Sequence, residues 1–209
     1  MIELIDNVSQ LAVTFAAGVG AGMSFYKARS QPYFLLTCFF GTFTLGSLHW
    51  SLYMLLFNST PQVFYVSELA WIASFVFLLT LDFTLSTPGE RRFHHPAAWL
   101  APVIGVPLMI FYMTHGEILG NLLMCGITMV AAWLSIRGMI FARRQNDVRR
   151  NRQFFHIAVL SIIVIEYGLW TASCFWVSDT LTNPYFWFDF LLSASLFILL
   201  PATRKAVEA

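Results

Sequence analysis

Three carboxylates stand where water is scarce: Glu68, Glu166 and Asp189 each fall inside a long apolar run. An ionised carboxylate near the centre of a bilayer costs about 3 kcal/mol on insertion scales, so such a group must face a bundle interior, trapped water or a bound partner. Two kinds of chemistry are open to it there. It can hold a cationic or polar solute, or it can take up and release a proton. A third role is structural, tying helices together by hydrogen bonds to Ser, Thr, Trp or Tyr on a neighbour.

Helical spacing gathers further groups around these acids. Trp170 and Ser173 follow Glu166 by four and seven residues, which puts all three on one helix stripe. Glu68 and Trp71 are three apart, and His49 and Tyr53 are four apart. Glu68 and Asp189 both sit a short way inside one end of their runs, and Glu166 lies near the middle of its own. The expected ligand-binding set is therefore Glu68, Glu166, Asp189, His49, Trp170, Tyr53 and Trp71, lining one polar, aromatic cavity with Glu166 at its floor. Tyr185 and Trp187, at a run edge, read instead as members of an interfacial aromatic belt.

No nucleophile or nucleotide motif accompanies the acids: HExxH, GxSxG, phosphate-loop and dinucleotide patterns are missing from the sequence. The two lysines, Lys27 and Lys205, stand at run ends, so a Schiff-base chromophore has no anchor inside a span. His49 and His156 fall at opposite depths, which argues against a haem held between spans. His94 and His95 precede Pro96 and could join His156 at a metal, but a plain loop is the simpler reading. Cys38, Cys125 and Cys174 sit in apolar stretches without CxxC spacing and read as small buried hydrophobes. Asp82 and Arg137 fall at similar depth and could pair. Asn7 and Asn58 begin glycosylation-type triplets. Neither enzymatic activity nor a cofactor nor a metal is expected.

The elements that position these groups follow from composition. Of 209 residues, 58% are hydrophobic and 11% charged, with a mean hydropathy of +0.69. A water-soluble domain carries roughly a quarter charged residues. The expected fold is an all-α integral membrane bundle in one domain, residues 1–209. Seven runs approach the roughly 20 residues needed to cross a bilayer core; they lie near 8–26, 32–57, 62–85, 96–114, 117–142, 154–177 and 184–203. Pro96, Pro102 and Pro107 should kink or unwind the fourth. Gly18 and Gly22, spaced as GxxxG, predict a close-packing face.

With seven spans, all twelve Lys and Arg residues fall toward one side, which predicts an external N-terminus and a cytoplasmic C-terminus in a cell membrane. The opening "MIELIDNVSQ" is acidic and lacks the basic region of a cleavable signal, so the first run reads as a permanent span. Arg143, Arg144, Arg149, Arg150 and Arg152 cluster in the longest loop. They suit an anchor at anionic lipid head groups, or a docking surface for a cytoplasmic protein. A net charge of +1 gives no reason to expect nucleic acid.

Weak internal likenesses run in helix order. "ELAWIASFVFLL" from Glu68 resembles "DFLLSASLFILL" from Asp189, "GMSFYK" from Gly22 resembles "GMIFAR" from Gly138, and Trp50 corresponds to Trp170. They suggest two parallel three-helix units joined by an odd fourth helix, a 3+1+3 layout used by some transporters with the site between the halves. These features imply a transporter of a small solute or ion, proton-linked, with an outward-facing cavity. A membrane sensor signalling through the basic loop and a structural subunit of a membrane complex are the alternatives.

Overall fold

The computed structural model describes residues 2–61, 65–144 and 150–208, and every regular element among them is helical. The order is α1 (Ile2–Ala28), α2 (Gln31–Phe57), α3 (Tyr65–Leu85), the short α4 (Pro88–Arg92), a 3-10 turn (Pro96–Trp99) leading into α5 (Leu100–Met113), α6 (Ile118–Arg143), α7 (Arg150–Phe175) and α8 (Pro184–Val207). Six helical segments are long and apolar enough to cross a membrane: α1, α3, the 3-10 turn with α5, α6, α7 and α8. Helix α2 has the length, at 27 residues, but hydroxyl residues, glycines and His49 dilute its apolarity, and it falls outside that group.

Several boundaries differ from the expected runs, each for a physical reason. Helix α1 begins at Ile2, ahead of the expected start near residue 8, because Asp6 and Asn7 turn inward with Gln10 and continue the helix through the polar opening. The proline-rich run stays helical. Pro96 opens the 3-10 turn and Pro102 lies in the first turn of α5, where backbone N–H groups lack intrahelical partners anyway; Pro107 is the interior one. Helix α2 stops at Asn58, whose left-handed backbone (φ 49) returns its N–H to the Met54 carbonyl at 2.9 Å. Helix α4 lies where a plain loop was expected, nucleated by Thr87, whose hydroxyl accepts the Glu90 N–H at 3.2 Å.

Neighbouring helices close a ring. α1 packs on α2, α2 on α3, α3 on α6, α6 on α7, α7 on α8, and α8 returns to α1, while α5 lies chiefly against α6. The core is filled by Phe39 and Phe40 of α2, Phe75, Leu78 and Leu81 of α3, Phe155 and Ile162 of α7, and Leu192, Leu196 and Leu199 of α8, all buried. Small residues set the approach of α1: a Cβ at Gly18 would lie 3.3 Å from the Phe40 Cβ, and one at Gly20 only 2.8 Å from Leu200 of α8. Asn7, a glycosylation candidate by sequence, is buried and donates to the Glu3 carbonyl at 2.7 Å. In the basic cluster, Arg143 and Arg144 are exposed at the end of α6 and Arg152 is half-buried on α7; Arg149 and the Arg150 side chain lie outside the described residues.

Candidate functional site

The acid-bearing ends of the helices enclose a cavity of about 420 Å³. That is within the size of small-molecule pockets, roughly 300–1,000 Å³. Glu68 of α3, Glu166 of α7 and Asp189 of α8 all line it, although they lie on three different helices. Trp71 and Trp170 line it as well, and so does Ser173. One face of α7 thus presents Glu166, Trp170 and Ser173 in successive turns, as their spacing requires.

Each acid is held differently. Glu166 is 7% exposed, and among the described residues its Oε2 makes no hydrogen bond. A buried acceptor without a partner is costly unless a ligand, water or proton satisfies it. Asp189 is 3% exposed and accepts a hydrogen bond from the Gln10 Nε2 of α1, whose Oε1 accepts from the Ser47 hydroxyl of α2 at 3.0 Å. Asp6, fully buried on the turn before Gln10, interacts with the same carboxylate. Glu68 is half-buried at the cavity edge, where it meets Glu117, the residue preceding α6. Its carboxylate fits because the facing residue of α6 is Gly120, at which any Cβ would collide with Glu68 Oε1.

The walls are aromatic. Trp71 packs beside Trp50 and Phe43 of α2, with ring centroids at 5.9 and 6.5 Å. Gly46 makes room for its indole, since a Cβ there would lie 2.8 Å from the Trp71 Nε1. Across the cavity, Tyr112 of α5 sets an edge against Trp170 at 5.7 Å and is fixed by hydrogen bonds to the Tyr167 carbonyl at 2.9 Å and the Thr171 hydroxyl at 2.8 Å. Tyr185 also lines the cavity and is not confined to an interfacial belt, whereas Trp187 is exposed and donates to the Leu181 carbonyl at 2.9 Å. Among the described residues no Lys or Arg lines the cavity, and the carboxylates of Glu68, Glu117, Glu166 and Asp189 face aromatic rings.

Two members of the sequence-derived set lie elsewhere. His49 turns its Nδ1 to the Ser67 hydroxyl at 2.8 Å and so ties α2 to α3, and Tyr53 packs on Phe57 at 4.7 Å and beside His49. Neither reaches the cavity lining. Conversely, spacing missed Asn7, Gln10 and Tyr112. The first two were hidden in the polar opening of the chain, and Tyr112 in the proline-rich run. Asp82 and Arg137 also differ from expectation. Asp82 meets Ser135 and His156, while Arg137 lies over the Trp133 ring at 4.7 Å and reaches the Arg91 carbonyl at 3.4 Å. His94 turns to the Arg92 carbonyl and His95 accepts the Ala97 N–H, so neither joins His156.

The arrangement can desolvate a small cation against aromatic faces and balance its charge with carboxylates, or hold protons on the same carboxylates. The chain matches no protein-family model, no curated protein and no solved structure at significant similarity.

Proposed function

We propose that the protein transports a small cationic solute across a cell membrane in exchange for protons, with the acidic, aromatic cavity as its binding site. The observation that carries this reading is the convergence of Glu68, Glu166 and Asp189, from three helices, on one cavity that among the described residues has no Lys or Arg in its lining and His115 as its single imidazole. A desolvated cation over an aromatic face gains about 2 kcal/mol, and a carboxylate in the same low-dielectric space adds charge balance. A proton on Glu166 removes the charge that holds the solute, so solute and proton compete for one site.

In this reading α2 is a seventh span. Its Leu45, Leu48, Leu52 and Leu55 form an exposed apolar stripe suited to acyl chains. The N-terminus is then external, the basic residues of the loop between α6 and α7 rest at cytoplasmic head groups, and the cavity opens outward. The 3+1+3 layout finds support in the helix ring. Exchanging α1, α2 and α3 with α6, α7 and α8 maps the α3–α6 contact onto the α8–α1 contact and leaves α5 as the odd helix. Rocking of the two units about the cavity would alternate its access.

The test is a flux assay in proteoliposomes loaded with a pH-sensitive dye and offered a panel of primary and quaternary ammonium ions. Wild-type protein should couple entry of at least one cation to proton exit, and Glu166→Gln should reduce that flux at least tenfold while retaining helical circular dichroism. Folded wild-type protein that moves neither protons nor any cation of the panel would reject transport.

A further inference from the structure

A second buried polar cluster lies at the other end of α3. Fourteen residues separate Glu68 from Asp82, roughly 21 Å along a helix axis. Asp82 comes from the last turns of α3, Glu90 from α4 and His156 from the second turn of α7. Asp82 is 0% exposed, and Glu90 and His156 are each 2% exposed. One donor atom from each lies within 4.8 Å of the other two.

The imidazole stands between the acids, with Nδ1 at 3.4 Å from Asp82 Oδ1 and Nε2 at 3.4 Å from Glu90 Oε1. An imidazolium clamped by two carboxylates would close to about 2.7–2.9 Å, the length of a charge-assisted hydrogen bond. Ligand atoms that share a tetrahedral metal, each bonded at about 2.1 Å, stand about 3.4 Å apart. Each observed contact, at 3.4 Å, is longer than such a clamp, and because the two use opposite ring nitrogens only one of them can be a spacing between atoms that share an ion. Among the described residues, Asp82 Oδ1 and His156 Nδ1 make no hydrogen bond; their contact is with each other, at 3.4 Å. Arg137, the expected mate of Asp82, lies over Trp133 and reaches the Arg91 carbonyl, while its charge acts on Glu90 and Asp82 without a direct ion pair among the described residues.

The surroundings orient each donor. The Ser135 hydroxyl donates to Asp82 Oδ2 at 2.6 Å, and the Ser86 hydroxyl donates to Glu90 Oε1 at 3.2 Å. Gly138 of α6 lets both side chains approach: a Cβ there would lie 2.5 Å from Glu90 Oε1 and would collide with the His156 ring. We propose that Asp82, Glu90 and His156 form a binding site for a divalent first-row metal ion such as Zn²⁺ or Mn²⁺. Two carboxylate oxygens and one imidazole nitrogen suit such ions, and their two negative charges offset the ion's two positive ones. By pinning α4 and α7 to α3, the ion would fasten the bundle at the end away from the cavity.

The full chain, purified in detergent, stripped with a chelator and dialysed against Zn²⁺ or Mn²⁺, should retain one ion per chain by mass spectrometry and unfold at a higher temperature than the stripped form. His156→Gln and Asp82→Asn should lower bound metal at least tenfold, and Glu166→Gln should leave it unchanged. Should the direct variants fail to fold, Ser135→Ala, which only removes an orienting hydrogen bond, should weaken metal affinity about 10- to 100-fold. Folded wild-type protein that holds no stoichiometric metal would overturn the site, and so would metal binding unaffected by Ser135→Ala and His156→Gln. An imidazolium tie without metal would appear as the first of these results, with His156→Gln still lowering thermal stability.

Discussion

The carboxylate of Glu68 occupies the space that any side chain at Gly120 would fill. An acid on α3 therefore depends on a missing Cβ on α6. Gly120→Ala retains every charge of the cavity yet must displace Glu68 or part the two helices. Overpacking of this type costs about 1–3 kcal/mol. Thermal unfolding in detergent should show a lowered midpoint, and cation uptake should fall with it. An unchanged midpoint would mean that Glu68 swings aside freely.

Gln10 joins three helices with one amide, through Asp189 of α8 and Ser47 of α2. Gln10→Leu keeps the approximate volume and strands both partners in the interior. Each stranded group costs about 1–3 kcal/mol. The variant should unfold at markedly lower denaturant than the wild type, measured by titration of helical circular dichroism, and should lose uptake.

His49 supplies the contrast. Its ring ties α2 to α3 through Ser67 and stays out of the cavity lining. His49→Ala should cost about 0.6 kcal/mol, the average for a hydrogen bond between membrane helices, and leave uptake intact. Trp71→Leu, one wall of the cavity, should spare most of the stability and reduce uptake. Parallel measurement of unfolding midpoint and flux in the two variants separates a helix tie from a binding residue.

Orientation has its own check. A cysteine at Thr180, in the exposed turn before α8, should react with a membrane-impermeant maleimide in intact cells. A cysteine at Arg144, exposed at the end of α6, should react only after permeabilisation. The reverse labelling pattern would invert the proposed topology.

The acids that converge on the cavity were legible because their type contrasts with their surroundings: a carboxylate among Leu, Phe and Ala admits few positions, all of them sheltered from lipid. Their aromatic neighbours on α3 and α7 followed from helical spacing alone. Gln10 was not legible in the same way: it fell inside the first expected run, 8–26, but a neutral amide gives none of the charge contrast that marks the acids. The signal was nonetheless present: Asn7, Gln10, Thr14, Ala17 and Ala21 recur at helical spacing, and all are buried against the ring. His49 shows the opposite limit. Sequence places a residue on a stripe, but which neighbour the stripe meets depends on helix rotation, which hydropathy leaves undetermined. The cluster of Asp82, Glu90 and His156 draws on three segments, and nothing local to His156 announces its two acids.

The Ser47 hydroxyl donates to the Gln10 carbonyl, which turns the amide nitrogen toward Asp189. The three groups make a one-way string of dipoles from α2 through α1 to α8. Positive charge arriving beside Asp189 slackens the pull on the amide nitrogen, and the carbonyl then draws less strongly on Ser47. A cation bound there, as the proposed transport requires, would in this way be felt by α2, a helix whose own share of the wall is the rings of Phe43 and Trp50 and no charge at all.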